Sequence, residues 1–116
     1  MPVNEYEHLL VRNYYTDGGD MRDYNSLRVY NDRTESVTVL TAEVAGKWAV
    51  GYQLFFANGR HAERLPNLEY GYCRSEREAL LWFLGYCKMW KQYFTADTMQ
   101  AIEHKMHDLA QSSLFT

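Results

Sequence analysis

The sequence predicts an α+β fold: an antiparallel β-meander of three to five strands followed by two C-terminal helices packed on one face. Three observations carry this. Four short runs rich in β-branched and aromatic residues crowd the stretch from Leu27 to Leu65. Turn residues separate them, and Asn58-Gly59 is the clearest hairpin signal because both residues tolerate positive φ. After Pro66 the apolar period changes to that of a helix, opened by Ser75 and Glu78 at capping-box spacing.

Taken in order, residues 5 to 15, EYEHLLVRNYY, are apolar and aromatic without a clean period, and their Tyr and Val content leans to a strand over a helix. Thr16 to Asn25, TDGGDMRDYN, reads as a loop. Its Asp17, Asp20 and Asp23 lack the alternating order of a calcium loop, which favours a solvated turn. Strands are expected at Leu27 to Asn31, Val37 to Ala45, Trp48 to Ala57 and Arg60 to Leu65. Gly46-Lys47 closes one hairpin and Asn58-Gly59 the next, while Pro66 ends the last strand or marks it as an edge.

Two-residue turns at both places set Ala45 opposite Trp48 and Val39 opposite Leu54. They also set Phe56 opposite His61 and Leu54 opposite Glu63. Alternation then sends Trp48, Val50, Tyr52, Leu54 and Phe56 to the core face. The reverse face carries Leu40, Ala42, Val44, Ala49, Gly51, Phe55, Ala57 and Ala62. It is too apolar for a solvated sheet, so something is expected to cover it.

The first helix is expected from Glu76 to about Tyr93, with Ala79, Phe83, Tyr86, Cys87, Trp90 and Phe94 on its core stripe. Leu81 and Leu84 fall on the opposite side, with Gly85 beside them. Either the second helix packs there, using Gly85 for close approach, or the two leucines form a partner-facing patch. Thr95 and Asp97 suit the start of that second helix, and Phe94 and Met99 its hydrophobic staple.

Gly-Tyr-Cys occurs twice and uses both cysteines, but the intervening helix separates Cys73 from Cys87 by roughly 17 to 18 Å. A disulfide needs Cα atoms within about 7 Å. Cys87 reads as a small core hydrophobe. Cys73, near a helix N-terminus, is placed for a lowered pKa but has no base nearby in sequence.

A chain of 116 residues is one domain, 1–116, long enough to bury a core without staples. A net charge of −3 gives no overall attraction to phosphate or anionic membrane. No apolar run reaches the roughly 20 residues of a membrane helix, and the N-terminus lacks a secretory pattern. Two cysteines fit a reducing compartment, so the expected location is cytoplasmic. Aromatic content is high, at 16%, which half-buried sheet positions or an interface can absorb.

His104 and His107 are helix neighbours facing away from the apolar stripe, two ligands short of a zinc site. His61 and Glu63 are turned to the core by the register above; they form either an acid–base pair beside a pocket at Phe56 or an edge strand or bulge that rotates them out, the latter favoured. Arg60, Arg64, Arg74 and Arg77, with Tyr70 and Tyr72, are the residues available to nucleic acid. Interspersed glutamates keep that segment near neutral. No dinucleotide, phosphate-loop, hydrolase or zinc-finger motif is present.

The strand with Trp48, the Asn58-Gly59-Arg60 hairpin and the capped SEREAL helix, together spanning about residues 47 to 90, resemble small uncharacterised proteins of bacterial mobile elements or phages. More loosely, the order is similar to the β-β-β-α half of double-stranded-RNA-binding domains, though this helix opens Ser-Glu-Arg-Glu where those carry a basic terminus. The expectation is a bacterial, non-enzymatic protein working through protein contacts, a homodimer first, with no catalytic residue, cofactor or metal. Leu40, Val44, Phe55, Leu81 and Leu84 are its expected interface. Phe55→Glu or Leu84→Glu should then weaken assembly and leave a folded chain. Nucleic-acid binding through the four arginines is the alternative, and no membrane partner is expected.

Overall fold

The structure is a computed structural model that describes residues 3–13 and 19–112. Tyr14 and Tyr15 of the expected first strand and Asp17 of the acidic loop lie outside the described residues. Four antiparallel strands, β1 (Asn25–Asn31), β2 (Ser36–Val44), β3 (Lys47–Phe55) and β4 (His61–Arg64), form one sheet in sequence order. Two helices follow, α1 (Glu76–Met89) and α2 (Ala96–Ser112). A single core cluster joins Val37, Val39, Val50 and Leu54 of the sheet to Leu80, Phe83, Leu84, Ile102 and Met106 of the helices. The expected meander and helix pair are therefore present, on the expected face.

The two hairpins depart from their expected registers in different ways. Between β2 and β3 the turn residues are Ala45 and Gly46, at φ 52° and 79°, and Val44 pairs with Lys47. Val39 consequently faces Tyr52, not Leu54, a slip of two that leaves every side chain on its expected face. Between β3 and β4 the loop holds three residues, 57–59, with Gly59 at φ 89° and a 2.8 Å bond from Phe56 N–H to the Arg60 carbonyl. Phe55 now faces His61 and Leu54 faces Ala62, a slip of one. It turns His61 and Glu63 away from the helices into solvent.

The middle of the sheet's reverse face is covered by the chain itself. A Cβ on Gly51 would collide with the Arg64 carbonyl oxygen and lie 2.6 Å from Pro66 N, because residues 64–66 cross directly over it. Met21 N–H holds the crossing at the Pro66 carbonyl (2.8 Å), and Trp48 and Cys73 then exchange two 2.8 Å backbone bonds. Leu40, Ala42 and Ala49 are buried as a result. In place of a first strand, the N-terminal segment makes a 3-10 turn (Glu7–Leu9) and one bridge from Val11 to Tyr72.

Ser75 Oγ caps α1 by accepting from Glu78 N–H (3.1 Å). Glu76, meanwhile, ties the helix start to the sheet by accepting from Asn25 Nδ2 and Thr41 Oγ1. The helix stops at Met89, four residues earlier than expected, and a 3-10 turn (Lys91–Tyr93) follows. At α2, Thr95 caps as expected, but the main partner is Glu35. Its buried carboxylate accepts from Thr95 N–H (3.0 Å), Thr95 Oγ1 (2.9 Å) and Thr98 Oγ1 at the positive end of the helix. Among the described residues no helix is long and apolar enough to cross a membrane.

Candidate binding groove

Helix α1 is apolar nearly all round, so its neighbours decide which side is core. Leu81 is 3% exposed and Leu84 fully buried, which corrects their expected place in an interface. Asn4 and Tyr6 of the N-terminal segment lie against Gly85, whose missing Cβ would collide with Asn4 Oδ1 and lie 3.1 Å from the Tyr6 ring. Asn4 Nδ2 also donates to the Trp82 carbonyl (3.1 Å) and Asn4 Oδ1 accepts from Tyr6 N–H (3.0 Å). Close approach at Gly85 thus serves the N-terminus rather than α2.

The side of α1 turned to water carries Trp82, Tyr86 and Trp90 at successive i, i+4 positions, continued by Tyr93 on the next turn. Their ring centroids are 5.9, 6.0 and 5.8 Å apart. Tyr86 is 40% exposed, Trp90 41% and Tyr93 54%. The expected core stripe is right for Ala79, Phe83 and Cys87 and wrong for Tyr86 and Trp90.

From Tyr86 to Tyr93 this ladder forms one wall of a groove of about 400 Å³. Tyr52, Leu54 and Phe56 of the β3–β4 hairpin form the other, locked to the helices by stacking of Tyr52 on Phe83 (5.2 Å) and a tilted contact of Phe56 with Phe94 (5.4 Å). Asn58, Arg60 and His61 stand at the rim, and among the described residues no carboxylate lines the groove. The Arg60 guanidinium, the hydroxyls of Tyr86 and Tyr93 and the indole N–H of Trp90 have no hydrogen-bond partner among the described residues. Trp82, by contrast, donates its indole N–H to Glu7 (3.2 Å). A concave surface beside Phe56 therefore exists, but Glu63 is not part of it, and His61 reaches the rim from the opposite sheet face, stacked on Phe55 at 5.7 Å.

Neither cysteine is poised for chemistry. Burial pushes the Cys87 thiol up to about 12. Cys73 also rises to about 12, through burial first and then the charges of Glu78 and Glu7, which reverses the lowered value expected at a helix N-terminus.

The other expected interface residues disperse. Leu40 is buried, while Val44 and Phe55 are half exposed. They sit at opposite ends of the β2–β3 pair, about 26 Å apart at the usual strand rise. The four arginines do not meet either. Arg64 is held between the rings of Tyr70 (4.0 Å) and Tyr52 (5.1 Å), and Arg60 lies at the hairpin tip. Arg74 and Arg77 open α1 beside Trp48, at the far end of β3. His104 lies 3.6 Å from Asp108 on the exposed face of α2, and among the described residues no three metal-binding side chains come together.

Comparison with known proteins adds nothing to this geometry: no family model, curated protein or solved structure gives a significant match to the chain.

Proposed function

We propose that the protein is non-enzymatic and acts through protein–protein contacts, with the aromatic face of α1 and its adjoining groove as the contact surface. Self-association across that face, as a homodimer, is its simplest form. The observation that carries this is the continuous ladder of half-exposed Tyr86, Trp90 and Tyr93. Tyr and Trp supply most interface hot spots, and monomers seldom leave such rings contiguous and bare. A cytoplasmic location and a bacterial mobile-element origin belong to the same proposal.

The test is native mass by light scattering over roughly a hundredfold dilution, for the unaltered chain and for Tyr86→Ser/Trp90→Ser. Concentration-dependent assembly that the double variant loses is the expected result. A monomer throughout removes self-association. Equal assembly of the two chains removes the aromatic face.

Single-stranded nucleic acid is the second reading, favoured by one observation: rings spaced about 6 Å apart make a stacking platform. It ranks lower because, among the described residues, Arg60 is the only arginine lining the groove. Binding that falls steeply with salt would promote it.

A further inference from the structure

The chemistry of the groove narrows what occupies it. Both walls are aromatic, with Phe56 and Tyr52 on one side and Tyr86, Trp90 and Tyr93 on the other. Several polar groups offered there can donate and have no partner among the described residues: three phenol hydroxyls, which can also accept, one indole N–H and the Arg60 guanidinium. An incoming helix has satisfied its own carbonyls and has little use for these donors. A strand brings as many N–H groups as carbonyls and seeks a sheet edge, and edge strand β4 is four residues long.

A proline-rich segment fits on each count. Its carbonyls are free, its prolines carry no N–H, its rings are compact and apolar, and it is already extended without internal hydrogen bonds. Aromatic-lined grooves dock such segments by laying proline rings between aromatic side chains. The charge is complementary too, with the Arg60 guanidinium at one end and no acid along the walls among the described residues.

We propose that the groove between the β3–β4 hairpin and the end of α1 docks a proline-rich, polyproline-II segment of another protein, with an acidic residue of that segment meeting Arg60. This rests on the reading of the aromatic face as a protein-contact surface. The 116 residues themselves do not supply the segment, because they hold two prolines and Pro66 is buried in the crossing over Gly51.

The chain's three tryptophans give three indole N–H signals with distinct places in the fold. Trp90 lines the groove, Trp82 is engaged by Glu7, and Trp48 lies at the far end of β3. The isotope-labelled full chain is titrated with a proline-rich peptide carrying one glutamate. Controls are a copy with alanine for every proline, a copy with lysine for the glutamate, and oligothymidylate.

The expected result is a saturable shift of the Trp90 signal with Trp48 unmoved, absent with the alanine copy. The lysine copy, or Arg60→Ala, should weaken binding by up to about tenfold. An equal response to the alanine copy overturns the proline inference and leaves the groove a protein-contact site. A Trp90 response to oligothymidylate alone overturns both readings. Silence at Trp90 with every probe overturns the inference, while the contact surface still stands if Tyr86→Ser/Trp90→Ser abolishes self-association.

Discussion

The two sides of α1 are both apolar, yet they do different work. On one, Leu81 and Leu84 are buried in the core cluster with Ile102 and Met106 of α2, and the N-terminal segment closes over Gly85, with Asn4 pressed against the glycine. On the other, the ladder starts at Trp82, engaged by Glu7, and continues through the exposed rings of Tyr86 and Trp90 beside the groove. Hydrophobicity alone does not separate these sides. Shape and polarity do: branched aliphatic side chains and a glycine suit close packing, whereas Tyr and Trp keep a polar tip for water or a partner.

Truncation should expose that difference most strongly at the sealed side. Leu84→Ala is expected to cost about 2–5 kcal/mol in urea unfolding, because a fully buried leucine leaves a cavity. Leu84→Glu should accordingly unfold the chain rather than merely weaken its assembly, as the sequence alone suggests. A loss no larger than that of a surface substitution would break the distinction between the sides.

Gly85→Ala is the next step down. The added methyl must displace Asn4 and Tyr6, which should cost about 1–3 kcal/mol and increase amide exchange in residues 4–11 ahead of the rest. Uniform loosening of the whole chain would mean that the N-terminal segment is not what Gly85 accommodates.

The smallest effect belongs to Phe55→Glu on the reverse sheet face. Phe55 is half exposed and stacks only on His61 among the described aromatic rings, so stability should change by about 0.5 kcal/mol or less and assembly not at all. Loss of assembly would return the contact surface to the sheet.

The sequence makes the fold class and both helix caps readable because those signals are local: Ser75 with Glu78, and Thr95 before α2. Face assignments on β3 also survive, since the Ala45–Gly46 turn slips the register by an even number. The loop at 57–59 slips by an odd number, and that single extra residue is why His61 and Glu63, which a two-residue turn would direct inward, lie outside, as the favoured edge-or-bulge reading has them. Glu35 shows a different gap. Its hydrogen bonds reach Thr95, 60 positions away, and nothing local marks an acid for capping a distant helix. The groove stays hidden in sequence because a helical period counts Tyr86 and Trp90 as core, and only the placement of α1 over β3 shows where that stripe ends.

The most direct measurement is carbene footprinting of the full chain at both ends of a roughly hundredfold dilution range. Heavy labelling of Tyr86, Trp90 and Tyr93 when dilute, lost when concentrated, with Leu81 and Leu84 protected at both ends, is the predicted result. Leucines labelled as heavily as Trp90, or a Trp90 signal indifferent to concentration, would contradict the account.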